Sequence, residues 1–155
     1  MEFDQQGELL VDGNWLHKKD FYNIRLDDFI SLIDHALENG FTLTGDFDVT
    51  AEIYTSKKEY ADFQLDDSNE SIDQNTRDNL YENCLTNDVH NVHIIGISRD
   101  EKGNKYYKIK DSVRKDLFPS SPTYFSENFF RAKVLAVMLH KDGIPIEIRK
   151  RLQIK

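Results

Sequence analysis

The sequence predicts an α+β domain built on a curled antiparallel sheet. Three observations lead there. An amphipathic helical stretch over 26–39 runs into an alternating, strand-like stretch over 41–49. Two further extended stretches, 92–98 and 105–110, flank a turn. An unbroken apolar run lies within 133–140. The order is helix, strand, helix and then several antiparallel strands, which is that of an α+β domain. The 155 residues suit one domain over 1–155, with 1–20 as an entry segment.

In the entry segment, Leu9, Leu10, Val11, Trp15 and Leu16 form short apolar groups among charges, as in a partly extended lead-in. Over 26–39, Leu26, Phe29, Ile30, Ile33 and Leu37 recur at three- and four-residue spacing and make one apolar stripe. Asp27 and Asp28 stand in the first turn, where the helix dipole favours negative charge. Gly40 is the stop, because glycine takes a left-handed conformation at low cost. Phe41, Leu43, Gly45, Phe47 and Val49 then alternate with polar residues, the pattern of a strand with one buried face.

Residues 50–70 are acidic and loop-like, with a short extended piece near Ile53 and Tyr54. Ser71-Ile-Asp-Gln74 matches a capping box and predicts a helix from 71 to about 85, a solvated connector with one modestly apolar side. The strands at 92–98 and 105–110 form a hairpin, with Gly103 supplying a positive φ in the turn. Pro119 and Pro122 mark a loop over 115–123. Ser126 is the expected N-cap of a short helical turn bearing Phe129 and Phe130. The run at 133–140 is a buried strand, and a helical turn over 144–152 follows.

Composition narrows the function. Ten Phe and seven Tyr supply a large apolar payload, which argues against disorder. The net charge of -8 argues against nucleic acid and against an anionic membrane surface, and is read as solubility. Cys84 is the single cysteine, so neither an intramolecular disulfide nor a thiolate-rich metal centre is expected. No run reaches the ~20 apolar residues of a membrane span. Residues 1–7 carry no signal pattern, so a soluble protein, cytoplasmic by default, is expected.

His90 and His93 have a metal-like spacing, but residues three apart on a strand point to opposite faces. Neither a metal nor a cofactor is therefore expected. His90 also precedes a buried strand whose hairpin partner runs into Asp111 and Ser112. Antiparallel pairing could bring His90 and Asp111 within hydrogen-bond reach. A carboxylate orienting an imidazole is the supporting pair of a nucleophilic site. On spacing alone, two unrelated polar residues at strand ends are the favoured reading.

The stretch Thr86-Asn-Asp-Val-His90-Asn-Val-His-Ile-Ile-Gly96-Ile, followed by Gly103-Asn-Lys-Tyr-Tyr-Lys-Ile-Lys-Asp111-Ser112, resembles the C-terminal signature of papain-like cysteine peptidases. There a catalytic His opens a strand and the next strand closes with Asn-Ser-Trp-Gly. The tail from Phe125 to Lys150 resembles the bleomycin-hydrolase, or aminopeptidase C, branch, and the segment 26–49 is similar to its entry into the β-domain. The resemblance runs from Phe21 onward. It implies the right-hand, β-barrel-like half of the papain-like fold with flanking helices. It makes His90 the counterpart of the general base, Asp111 of the orienting Asn, and Ser112 of the motif's Ser.

Two departures bear on chemistry. Asp111 replaces an Asn, so the ring can still be oriented while its protonated form is favoured. Val113-Arg114 replaces the Trp-Gly that would cover the pair. Cys84 does not match the family's nucleophile, which belongs to a separate helical half along with the oxyanion-stabilising Gln. The resemblance therefore implies a chain inactive alone, a pseudoenzyme half serving as an interaction module. The alternative is one chain of a split cysteine aminopeptidase completed by a Cys-bearing half. The expected partners are such a half or a second copy, bound through the exposed inter-domain face, with a peptide substrate only once the cleft is complete.

Overall fold

The computed structural model describes residues 2–49, 60–63, 71–112 and 124–155. The expected loop over 50–70 with its extended piece at Ile53 and Tyr54, and the loop over 115–123 with Pro119 and Pro122, lie largely or wholly outside the described residues. So do Val113 and Arg114.

The chain enters through strand β1 (Gln5–Gly7), a 3-10 turn (Asp12–Asn14) and strand β2 (Phe21–Asn23). β1 and β2 pair antiparallel as a small separate sheet. Helix α1 (Leu26–Glu38) follows and buries Leu26, Ile30, Leu32, Ile33 and Ala36, as its stripe requires. It has no side-chain cap of its own from Arg25. Instead the Leu26 amide donates to Gln74 Oε1 at 2.7 Å. Gly40, at φ +81°, ends the helix as expected.

Strand β3 (Leu43–Phe47) turns Leu43, Gly45 and Phe47 inward. Gly45 is needed because a Cβ there would lie 2.4 Å from the Phe47 ring and 2.9 Å from Ile94. Strand β4 (Tyr60–Ala61) comes next, then helix α2 (Gln74–Glu82). The capping box at Ser71 does not form. Asp73 is the N-cap, its carboxylate accepting from the Thr76 amide at 2.8 Å. The Gln74 side chain is committed to Leu26 and, through Nε2, to Asp78 at 2.8 Å. The helix also closes earlier than expected. Cys84 takes φ +55°, and the Leu85 amide reaches back to the Leu80 carbonyl at 2.8 Å.

Strands β5 (His90–Arg99) and β6 (Lys105–Lys110) form the expected hairpin, with Gly103 at φ +87°. Strand β7 (Tyr124–Ser126) leads straight into helix α3 (Glu127–Lys133). Ser126 caps that helix as the sequence predicts, Oγ accepting from the Phe129 amide at 3.1 Å. Strand β8 (Val134–Leu139), a 3-10 turn (Lys141–Gly143) and helix α4 (Ile146–Arg151) complete the described chain.

Six strands make one sheet in the order β4-β7-β6-β5-β3-β8, antiparallel throughout except for the parallel β4–β7 pair. Register shifts between Asp46 and Phe47 against β8, and between Ile94 and Gly96 against β6, place an extra residue in each ladder. Such bulges bend a strand and increase its twist, which curls the sheet. The result is the α+β class expected, a sheet with flanking helices. Its core is aromatic. Phe47 lies edge-on to Phe125 and Phe130, each at 5.0 Å between centroids, and Tyr107 packs on Phe130 at 4.1 Å. Among the described residues no helix is long and apolar enough to cross a membrane.

Two stability predictions follow from this packing. Phe47→Ala is expected to cost ~3–5 kcal/mol in urea unfolding, because the ring is fully buried among rings that cannot collapse into its space. Asp73→Ala is expected to lower the thermal midpoint while Ser71→Ala leaves it unchanged, since the cap lies at Asp73.

Candidate functional site

The hairpin register builds the site. β5 opens at His90, which stands opposite Phe47 of β3. On the other side of β5, His93 pairs with Lys110, the last residue of β6. Continuing that register places Asp111 opposite Val92. His90 is two residues from Val92 and so shares its side of the strand, within diagonal reach of Asp111. His90 Nε2 and Asp111 Oδ1 are 2.7 Å apart. The His90 side chain is 29% exposed and that of Asp111 11%, so the bond is only partly screened by water.

An ionised carboxylate only accepts, so Nε2 carries the shared hydrogen and donates it. Nδ1 of the neutral ring then holds the lone pair. Among the described residues, no hydrogen bond reaches Nδ1. Ser112 Oγ donates to the same Asp111 oxygen at 3.4 Å. The structure thus brings together His90, Asp111 and Ser112.

It does not bring in the other candidates. His93 is exposed on the opposite side of β5, across from Thr44. Among the described residues, no group of three or more His, Cys, Asp or Glu side chains could hold a metal. Cys84 is exposed just beyond α2, and no hydrogen bond among the described residues joins it to His90.

A network not singled out in the sequence positions the segment leading into His90. Lys133 Nζ pairs with Asp48 Oδ2 at 3.4 Å and donates to the Leu85 carbonyl. Both partners of this ion pair are buried. The Asn87 amide donates to Asp48 Oδ2 at 3.1 Å, and Thr86 Oγ1 donates to the Ala132 carbonyl at 3.2 Å. Residues 85–87 are therefore gripped one after another before the chain reaches His90. The available signal was Lys133 itself, a charge directly preceding an apolar run. A separate groove of about 950 Å³ lies between the entry segment and β8, lined by residues including Leu10, Phe21 and Val137. Neither His90 nor Asp111 borders it.

Fold and register together define a class: an α+β domain, a curled, mostly antiparallel sheet with flanking helices. No protein-family model matches the chain, and no curated protein matches it. Among solved structures, PepW from Lactobacillus rhamnosis HN001, crystallised as its selenomethionine derivative, is similar with a TM-score of 0.67 at 16% identity. The match covers 99% of this chain and 35% of PepW, so the chain spans about a third of that protein's length. The likeness shows that this chain shares its fold with part of PepW.

If Asp111 orients the ring, its removal must change the tautomer balance. Asp111→Ala is expected to shift His90 away from the Nε2–H form, as read from nitrogen chemical shifts of the imidazole. An unchanged spectrum would mean that the bond does not hold the ring in solution.

Proposed function

We propose that this chain is the C-terminal, β-rich half of a papain-like cysteine peptidase of the bleomycin-hydrolase, or aminopeptidase C, type, catalytically inactive by itself and acting as an interaction module. The observation that carries this reading is the 2.7 Å bond between His90 and Asp111 at the open end of the hairpin, within a fold shared with part of PepW. In this reading His90 is a remnant general base and Asp111 the residue that orients it.

A base does no hydrolysis without a nucleophile to deprotonate. Within these residues the only thiol is Cys84, exposed in the turn that closes α2, and no hydrogen bond among the described residues joins it to His90. An interaction role is supported by exposed large apolar side chains. Leu85 and Val89 flank the approach to His90, while Leu10, Trp15 and Leu16 stand on the entry segment and Met138 on β8. Exposed apolar surface of this kind favours a covering chain.

One observation supports a second reading, the split enzyme. Nδ1 of His90 is left without a hydrogen bond among the described residues, as a base awaiting a thiol would be. A separate Cys-bearing half docked there would complete the cleft, and a peptide would then be the substrate.

The test is hydrolysis of fluorogenic aminoacyl and dipeptidyl substrates by the purified chain. No turnover is expected, and Cys84→Ala is expected to change nothing. Turnover abolished by Cys84→Ala would overturn the inactive-half reading. Turnover that appears only when a Cys-bearing half is added, and is lost with His90→Ala, would establish the split enzyme.

A further inference from the structure

We propose that the open edge of strand β8 takes up an extended, basic peptide segment of a partner polypeptide, which joins the sheet as a strand beside β8 and lies in the groove between β8 and the entry segment. The site stands apart from His90 and does not depend on its chemistry. It gives the interaction role a partner of stated chemistry.

β8 is the last strand of the six-stranded sheet and, among the described residues, pairs only with β3. In an antiparallel ladder every second residue turns its N–H and C=O to the neighbouring strand, and the residues between turn theirs away. Among the described residues, no backbone hydrogen bond other than those to β3 reaches residues 135–139. Edge strands are ordinarily blunted by charged side chains, by proline or by a covering segment. β8 reads Val-Leu-Ala-Val-Met-Leu, with neither a charge nor a proline. Its one irregularity, opposite Asp46 and Phe47, lies at the start of the strand and leaves 136–139 in regular register.

The groove gives the added strand its bed. Every residue from Leu135 to Leu139 lines it. Side chains alternate between the faces of a sheet, so an unbroken run borders the groove with the edge of the strand and not with one face. The opposite wall is the entry segment, where Leu9, Leu10 and Phe21 present apolar surface. A groove walled on both sides admits a single chain segment and shuts out the sheet edge of a second folded copy. Its volume of about 950 Å³ lies within the ~300–1,000 Å³ of sites that enclose a ligand. Main-chain hydrogen bonds to β8 supply affinity in such an arrangement, and alternate side chains of the segment fill the groove.

Charge selects the segment. Asp78 and Glu82 stand one turn apart on α2 at the rim, and Asp20 stands on the entry segment. All three are exposed, and none has a salt bridge among the described residues. Of the other charged residues lining the groove, Glu8 pairs with His17, Arg77 donates to the Arg131 carbonyl and Lys141 to that of Lys155. Lys18 is the remaining cation, and the three carboxylates outnumber it. Basic side chains on the incoming segment complement this rim.

The test uses the purified chain and a short, fluorescein-labelled peptide of alternating valine and lysine. Saturable binding is expected by fluorescence anisotropy, with hydrogen exchange of the outward-turned amides within 136–139 slowed by about tenfold. The same peptide N-methylated on every backbone nitrogen keeps its charge but loses its donors, and is expected not to bind. Glutamate in place of lysine in the peptide, or Asp78→Lys with Glu82→Lys in the protein, is expected to weaken binding by about tenfold. No saturable binding, equal binding of the N-methylated or the glutamate peptide, or protection confined to other elements overturns the proposal. Slow exchange of the same amides in a peptide-free dimer also overturns it, because a second copy would then hold the edge. None of these results bears on the reading of His90, which peptide hydrolysis decides.

Discussion

The burial of Phe47 constrains more of this structure than any other contact. Its ring is held by Phe125 from β7 and by Phe130 from α3, while its strand is zipped to β5 on one side and β8 on the other. Burying a phenylalanine is worth ~1.5–3 kcal/mol, and each aromatic pair adds ~0.5–1.5 kcal/mol. Side chains alternate with period two along a strand. A slip of one residue would therefore expose Phe47 and bury Asp46 in its place. With that register held, Phe47 stands beside His90, and Asp46 stands opposite Asn91 on the other face.

Against that hydrophobic term the buried Lys133–Asp48 pair contributes differently. An ion pair taken out of water gains little net stability over a well-packed apolar pair of similar volume. Its effect here is on placement. One carboxylate receives both the Lys133 ammonium and the Asn87 amide, and the same ammonium reaches the Leu85 carbonyl. The chain leaving α2 thus has one favourable path onto β5. Similar cross-ties join the helices to the sheet. Asp34 of α1 accepts from both Tyr107 and Lys105 of β6 at 2.7 Å, and Arg131 of α3 reaches Asp27 of α1.

The candidate site is a product of this scaffold. The hairpin register alone brings Asp111 to His90, and the bulge after Ile94 lies inside the paired stretch without breaking it. An oriented imidazole is half of a catalytic device; the other half is a nucleophile held against it. The chain matches 35% of PepW, and what the two share is the fold that sets this register.

The sequence by itself determined the elements whose signal is local. The 3.6-residue stripe of α1, the alternation around Phe47, the hairpin at Gly103, the Ser126 cap and the strand character of β8 were all legible, because each depends on neighbours within one or two turns of chain; the expected burial of β8 was not, since it is an edge strand that buries Val134 and Leu135 and leaves Met138 exposed. The nearness of His90 and Asp111 was legible only as one outcome of the hairpin. The remainder was decided by chain closure. Ser71 lost its cap to Asp73 because Gln74 is claimed by an amide 48 residues away. β1, β2, β4 and β7 are three residues or shorter, too short to carry a period, and exist through their partners. The Lys133–Asp48 pair spans 85 residues, and the Tyr107–Asp34 bond spans 73. Burial and opposing charge act through space, so only the closed tertiary structure could assign those groups their partners.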